Sequence, residues 1–201
     1  MDTFEAICQR RSVKQFDPSH EMTDAEIRKL LDAAIQSPTS FNCQHWRFVV
    51  VKDAAMRAEI QAASFNQTHV TEASLLVVLA ADLKAWAKEP QRYWKHAPPE
   101  ILQRMVSMIG PFHEGNDQLQ RDEAMRSCGL AGQTIMLAAK AMGYDSCPMI
   151  GFDPVKVGAL IHLPADHVIG FMVVVGKAVQ PARQKPGQLA LDDVVVQDRF
   201  D

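Results

Sequence analysis

The ten glycines of this chain never fall in a G-x-G arrangement, so the phosphate-binding turn of a Rossmann unit is missing. There is no G-x-x-x-x-G-K phosphate loop and no G-x-S-x-G nucleophile elbow either, and nothing else nominates a catalytic nucleophile. An anionic cofactor would have to be held by another route. Cysteine is scarce. Cys8, Cys43, Cys128 and Cys147 are scattered without a close pair, which favours reduced thiols and a cytoplasmic setting over a disulfide framework. The seven histidines form no H-x-H or H-x-x-x-H pair, so the spacing predicts no metal centre. No apolar run has the length of a membrane span and the N-terminus has no signal-peptide core, so no membrane partner is expected. A formal net charge of −3 argues against a nucleic-acid partner, because phosphate neutralisation needs many clustered cations.

What remains is ample for a core: 201 residues, 47% of them hydrophobic, expected as a single domain over 1–201. A first helix is expected over about Thr3 to Arg10. In "TDAEIRKLLDAAIQS", Thr23 and Glu26 make a capping box ahead of Ile27, Leu30, Leu31 and Ala34 at helical spacing, and Pro38 is the expected stop. "WRFVVV" (46–51) and "LLVVLAA" (75–81) read as strands buried on both faces, with a helix near Ala54 to Ala63 between them. Residues 84–120 form a looser excursion leading into a proline-started helix, "PPEILQRMVSMIG". A long helix from Asp117 to about Met142 should turn Met125, Cys128, Ile135, Ala138, Ala139 and Met142 inward. Gly129 and Gly132 inside it suggest a close helix–helix approach, with Gly143 as its C′ residue. "HVIGFMVVVGK" (167–177) is another strand, "DDVVV" near the end a candidate fourth, and the apolar tail over 178–201 should be docked on something.

One short run stands out in this mildly acidic chain: "RRSVKQFD" (10–17) places Arg10, Arg11 and Lys14 within five positions. A helix C-terminus attracts such residues, and so does a bound anion. Taken with "SPTSFNCQHWRFVVV" (37–51), "FNQTHVTEAS" (65–74) and "GYDSCPMIGFD" (143–153), the run resembles the nitroreductase family of FMN-dependent oxidoreductases. The resemblance implies an α+β fold, three layers α/β/α with a mostly antiparallel central sheet, in an intertwined homodimer. It implies one FMN per subunit, NAD(P)H as co-substrate, and ping-pong transfer to a small-molecule acceptor such as a nitroaromatic, quinone or enone.

By the same resemblance Arg10 holds the FMN phosphate, with Arg11 beside it in the basic cluster. Ser12 meets the ribityl and pyrimidine side, and Lys14 the N1–C2 edge of the ring. Pro38, Thr39, Ser40 and Asn42 match a segment that reaches the flavin of the other subunit. Asn66 matches an amide at the pyrimidine edge. His69 stands where some members carry a lysine, so either Lys14 is the sole permanent cation or the local charge varies with pH. Pro148, Met149, Ile150 and Gly151 match the stretch beneath the ring, where a backbone N–H near Ile150 and Gly151 faces N5. Arg183 and Lys185 are the C-terminal candidates for the phosphate. Phe41 and Phe112 are candidate walls for substrate. No side chain need act as nucleophile or acid, since the cofactor carries the chemistry. A non-catalytic flavin-binding or storage protein, and a relative with other flavin chemistry such as dehalogenation, are the alternatives.

Overall fold

The computed structural model describes residues 1–200. Two reciprocal capping boxes start the first two helices: Asp2 with Glu5 for α1 (Thr3–Gln9), and Thr23 with Glu26 for α2 (Asp24–Ala34). The second helix stops four residues before Pro38. Gln36 and Ser37 donate back to the Ala33 and Ala34 carbonyls in a closing turn, so the proline lies beyond the stop instead of causing it.

Four strands form one antiparallel sheet, β1 (Trp46–Val51), β2 (Leu75–Asp82), β3 (Asp145–Met149) and β4 (His167–Gly176), in the order β1-β2-β4-β3. Alternation along β2 divides its side chains between two cores. Leu75, Val77, Leu79 and Ala81 face α2 and the long helix α6 (Asp117–Ala141). Leu76 and Val78 face Ile60 of α3 (Ala54–Ala63), Val70 of α4 (His69–Glu72) and Val157 of α7 (Pro154–Leu160). These are the three layers the resemblance implies. Each fully buried leucine contributes about 1.5–3 kcal/mol to them.

Expectations about the strands and the glycines are corrected, and the tail finds no cover on its own chain. β1 is an edge strand, and only Trp46 and Val51 at its ends are buried, because a single neighbour covers it. The fourth strand is β3, not "DDVVV": β3 takes the outer edge of β4, while Leu191–Asp193 makes a lone 3-10 turn. Leu189, Leu191, Val194, Val195, Val196 and Phe200 are each half or more exposed, so within the single chain the tail is not docked. Gly132 does permit a close approach, but by an aromatic ring and not by a helix. A Cβ there would lie 2.0 Å from the Phe171 ring of β4, and Gly129 faces open space.

The excursion holds two 3-10 turns, Ala85–Ala87 and Pro90–Trp94, and α5 (Pro99–His113). It is fastened to the sheet by a charge cluster around the buried Asp82. Arg47 donates to Asp82 at 3.3 Å and Lys88 at 2.8 Å; Lys88 also donates to Asp166 at 2.6 Å. Those contacts, Lys88 first and then His167, hold the Asp166 carboxyl down at about 2. Among the described residues no helix is long and apolar enough to cross a membrane.

Candidate cofactor site

The basic run leaves α1 at Arg10 and turns extended. Ser12 then forms a parallel bridge to Ser146, and the Val13 N–H donates to the Ser146 carbonyl at 3.0 Å. Residues 10–14 thus lie along the start of β3, which brings "RRSVK" beside "SCPMIG". The shared surroundings are legible in Cys147: burial pushes its thiol up, and the charges of Lys14 and Arg10 partly oppose that.

The third motif joins through an amide that the sequence reading passed over. Phe65 and Asn66 adopt φ of 54° and 56°, the left-handed region that disfavours side-chain-bearing residues. Gln67 Nε2 donates to the Ser64 carbonyl at 3.0 Å and to the Gly151 carbonyl at 2.9 Å. One side chain therefore closes the turn and ties it to the end of the Pro148–Gly151 stretch. Asn66 is left exposed on this turn, and Ile150 is 83% exposed just beyond β3. Gln67 stands within the quoted "FNQ", but only the unusual backbone shows why an amide is needed there.

A cavity of about 440 Å³ opens between residues 12–15, Thr68 and residues 180–183, and of the candidate residues only Ser12, Lys14 and Arg183 line it. Its electrostatics are one-sided. Among the described residues neither Lys14 nor Arg183 has a carboxylate partner within ion-pair distance. Arg10 Nη1 is buried with no hydrogen-bond partner. A guanidinium nitrogen shut away from water without an acceptor is costly, so an anion supplied from outside suits it. Arg11 differs: its Nη1 donates to the Cys8 and Arg10 carbonyls at 2.6 and 2.9 Å, closing the end of α1. Lys185 is exposed and does not line the cavity.

His69 is 3% exposed, and its Nε2 has no partner. Burial lowers its pKa, and the positive charge of Lys14 lowers it further. Both effects favour the neutral imidazole, which is the alternative that makes Lys14 the permanent cation of this group.

The fourth motif lies elsewhere in the chain. Thr39 Oγ1 accepts from the Gln44 N–H at 3.0 Å, and Asn42 Nδ2 donates to the Tyr93 carbonyl at 2.7 Å. Trp94 Nε1 donates to the Phe41 carbonyl at 3.1 Å. Ser40 and Asn42 bound a short 3-10 turn in which Phe41 has φ of 51°, and Pro38 is exposed before it. Phe41 and Phe112 pack together with ring centroids 5.0 Å apart. None of Pro38 to Asn42, nor Phe112, lines the 440 Å³ cavity of the same chain.

The family model of the nitroreductase family matches residues 7–177. Protein DrgA of Synechocystis is 56% identical over 196 residues, covering 95% of this chain and 93% of that protein. The oxygen-insensitive NADPH nitroreductase of Helicobacter pylori (strain 26695) is 30% identical, covering 92% of each chain. A solved FMN complex from Exiguobacterium sibiricum superposes with a TM-score of 0.90 at 26% identity, covering 98% of this chain and 97% of that one. A sheet of this topology, three motifs gathered around unpartnered cations, and a match over most of the length lead to one conclusion: the chain belongs to the nitroreductase family.

Proposed function

We propose that the protein is an FMN-dependent oxidoreductase taking electrons from NADH or NADPH and delivering them to small acceptors such as nitroaromatics, quinones or enones in a ping-pong cycle. The observation that carries this reading is the buried, partnerless Nη1 of Arg10, two residues before the Ser12–Gln15 wall of a cavity whose cations lack carboxylates. A phosphate monoester fits that donor set, because the planar guanidinium binds two oxygens at once. Arg10 would hold the phosphate together with Arg183, Ser12 the ribityl hydroxyls, and Lys14 and Asn66 the pyrimidine edge of the ring. The backbone at Ile150 and Gly151, fixed by Gln67, would face N5. When bound, FMN supplies the two-electron chemistry, and the chain supplies placement and charge. Lys14 keeps a positive charge where reduction adds a negative one, and His69, neutral, adds none.

The site is proposed to be completed by a second copy. Pro38, Thr39, Ser40 and Asn42, on a loop tied to the excursion and away from their own chain's cavity, would reach the partner's flavin, and Phe41 and Phe112 would wall the acceptor. The exposed valines of the tail support this reading, since a neighbouring subunit would cover them.

Anaerobic stopped-flow mixing of the FMN-loaded protein with NADH and with NADPH tests the reading. Rapid bleaching, then recolouring by a nitroaromatic or quinone, is expected. Persistent yellow colour would reduce the protein to a flavin binder, and failure to take up FMN would remove the cofactor.

A further inference from the structure

Three side chains that the flavin reading does not use converge beneath the loop carrying Pro38 to Asn42. Cys43 follows that loop, His45 precedes β1, and His113 ends α5; each is 0% exposed. Their donor atoms lie within 4.8 Å of one another. The two histidines are 68 positions apart, so spacing alone does not expose the group.

The partners fix where the protons sit. His113 Nδ1 lies 2.8 Å from the Ile109 carbonyl. A carbonyl only accepts, so Nδ1 donates and Nε2 carries a bare lone pair. Ser127 Oγ donates its single proton to the Glu123 carbonyl at 2.8 Å. It must therefore accept from His45 Nδ1 at 3.1 Å, which leaves His45 Nε2 with a lone pair too. Both Nε2 atoms are buried without a hydrogen-bond partner. Two dry imidazole acceptors beside a thiol, held rigidly by protein on their far sides, form an unsatisfied donor set.

We propose that Cys43 Sγ, His45 Nε2 and His113 Nε2 bind one Zn²⁺ ion per chain. Thiolate and neutral imidazole are the ligands zinc prefers. With Zn–S near 2.3 Å and Zn–N near 2.0–2.1 Å, tetrahedral donors stand about 3.3–3.6 Å apart. Sγ and one ring nitrogen of each histidine lie within 4.8 Å of one another, so closing onto the ion asks for a contraction of no more than about 1.5 Å. Each imidazole already donates its other N–H to an oxygen, the outer support that fixes ring orientation at metal centres. On binding, the Cys43 S–H bond breaks, sulfur bonds to zinc and the proton leaves to solvent; no electrons are exchanged. Three protein ligands leave a fourth position for water. The ion would staple the 39–44 loop, the start of β1 and the end of α5 together, beside the Phe41–Phe112 pair. The cluster of Asp82, Asp166 and His167 has no such need, since Lys88 and Arg47 already occupy its carboxylates.

The test uses the whole flavin-loaded protein, freed of metal by chelator and dialysis and titrated with Zn²⁺ alone. One ion per chain, a rise in Tm and an X-ray absorption shell of one sulfur and two imidazole nitrogens are expected. Cys43→Ser and His113→Gln should each weaken binding at least tenfold and alter that shell, while Cys8→Ser and Asp166→Asn leave it unchanged. The absorption measurement on the unaltered protein decides the matter even if a variant misfolds. No stoichiometric binding, a shell without sulfur, or undiminished affinity in folded Cys43→Ser would overturn the proposal, leaving the two nitrogens to a buried water. FMN content and nicotinamide-driven bleaching are read separately, so either proposal can fail alone.

Discussion

Two groups of charge in this molecule invite comparison. Around Asp82 every charge has an answer: Arg47 and Lys88 meet its carboxylate, and Lys88 and His167 meet Asp166. Around the 440 Å³ cavity the cations Lys14 and Arg183 have no carboxylate, and Arg10, two residues before its Ser12 wall, keeps a buried nitrogen idle. A satisfied cluster needs nothing from outside and fastens the fold. An unsatisfied one is tolerated in a native chain when a ligand completes it. The sum of charges does not distinguish the two; partnership does.

Breaking each cluster in turn should give opposite phenotypes. Arg10→Ala removes the idle donor and should weaken FMN binding by about 10- to 150-fold, the worth of a charge-assisted contact of about 1.5–3 kcal/mol, with little change in the Tm of the FMN-free protein. Equilibrium dialysis and thermal melts measure the two. Asp82→Ala should do the reverse. It strands Arg47 and Lys88 and deletes the acceptor for the Lys84 N–H. Both cations are partly exposed, so water repairs some of the damage and the cost should be about 2 kcal/mol in urea unfolding, with FMN affinity intact. Equal losses of affinity in both variants would dissolve the distinction.

Lys14→Met probes the cavity more finely. If its charge sits beside the reduced ring, the two-electron midpoint should fall by about 30–65 mV, taking the same 1.5–3 kcal/mol and about 30 mV per 1.4 kcal/mol. A redox titration showing no change would detach Lys14 from the flavin. The smallest effect belongs to another satisfied group. Glu26, accepting from Tyr144 first and from Thr23, has its carboxyl held down at about 2 against an ordinary 4.5. A depressed carboxylate contributes its stability fully above pH 4.5 and loses it as pH falls toward 2. Glu26→Gln should flatten the acid limb of the stability curve in that window and leave neutral-pH flavin binding untouched.

Much of the architecture is legible in local patterns. The Thr23–Glu26 box, the apolar runs at 46–51 and 75–81 and the stop at Gly143 depend on nearby residues, and the structure reproduces them. What local patterns miss is long-range partnership. Valines at 194–196 look like a strand by composition, yet among the described residues they pair with no strand of their own chain, and the fourth member of the sheet is β3. Gly132 announces a close approach without saying that Phe171 makes it. At the site, Arg10 and Arg11 are neighbours of one type, yet one is spent on helix carbonyls and the other left idle. Gln67 matters because two residues before it take left-handed φ. Cys43, His45 and His113 meet only because α5 returns the excursion to the start of β1.

The most direct measurement compares FMN with riboflavin, which lacks the phosphate, by equilibrium titration of the flavin-free protein and its Arg10→Ala variant. The account predicts a preference for FMN of at least about tenfold in the unaltered protein, most of it lost in the variant. An equal preference in both proteins would contradict the claim that the idle guanidinium of Arg10 exists to hold a phosphate.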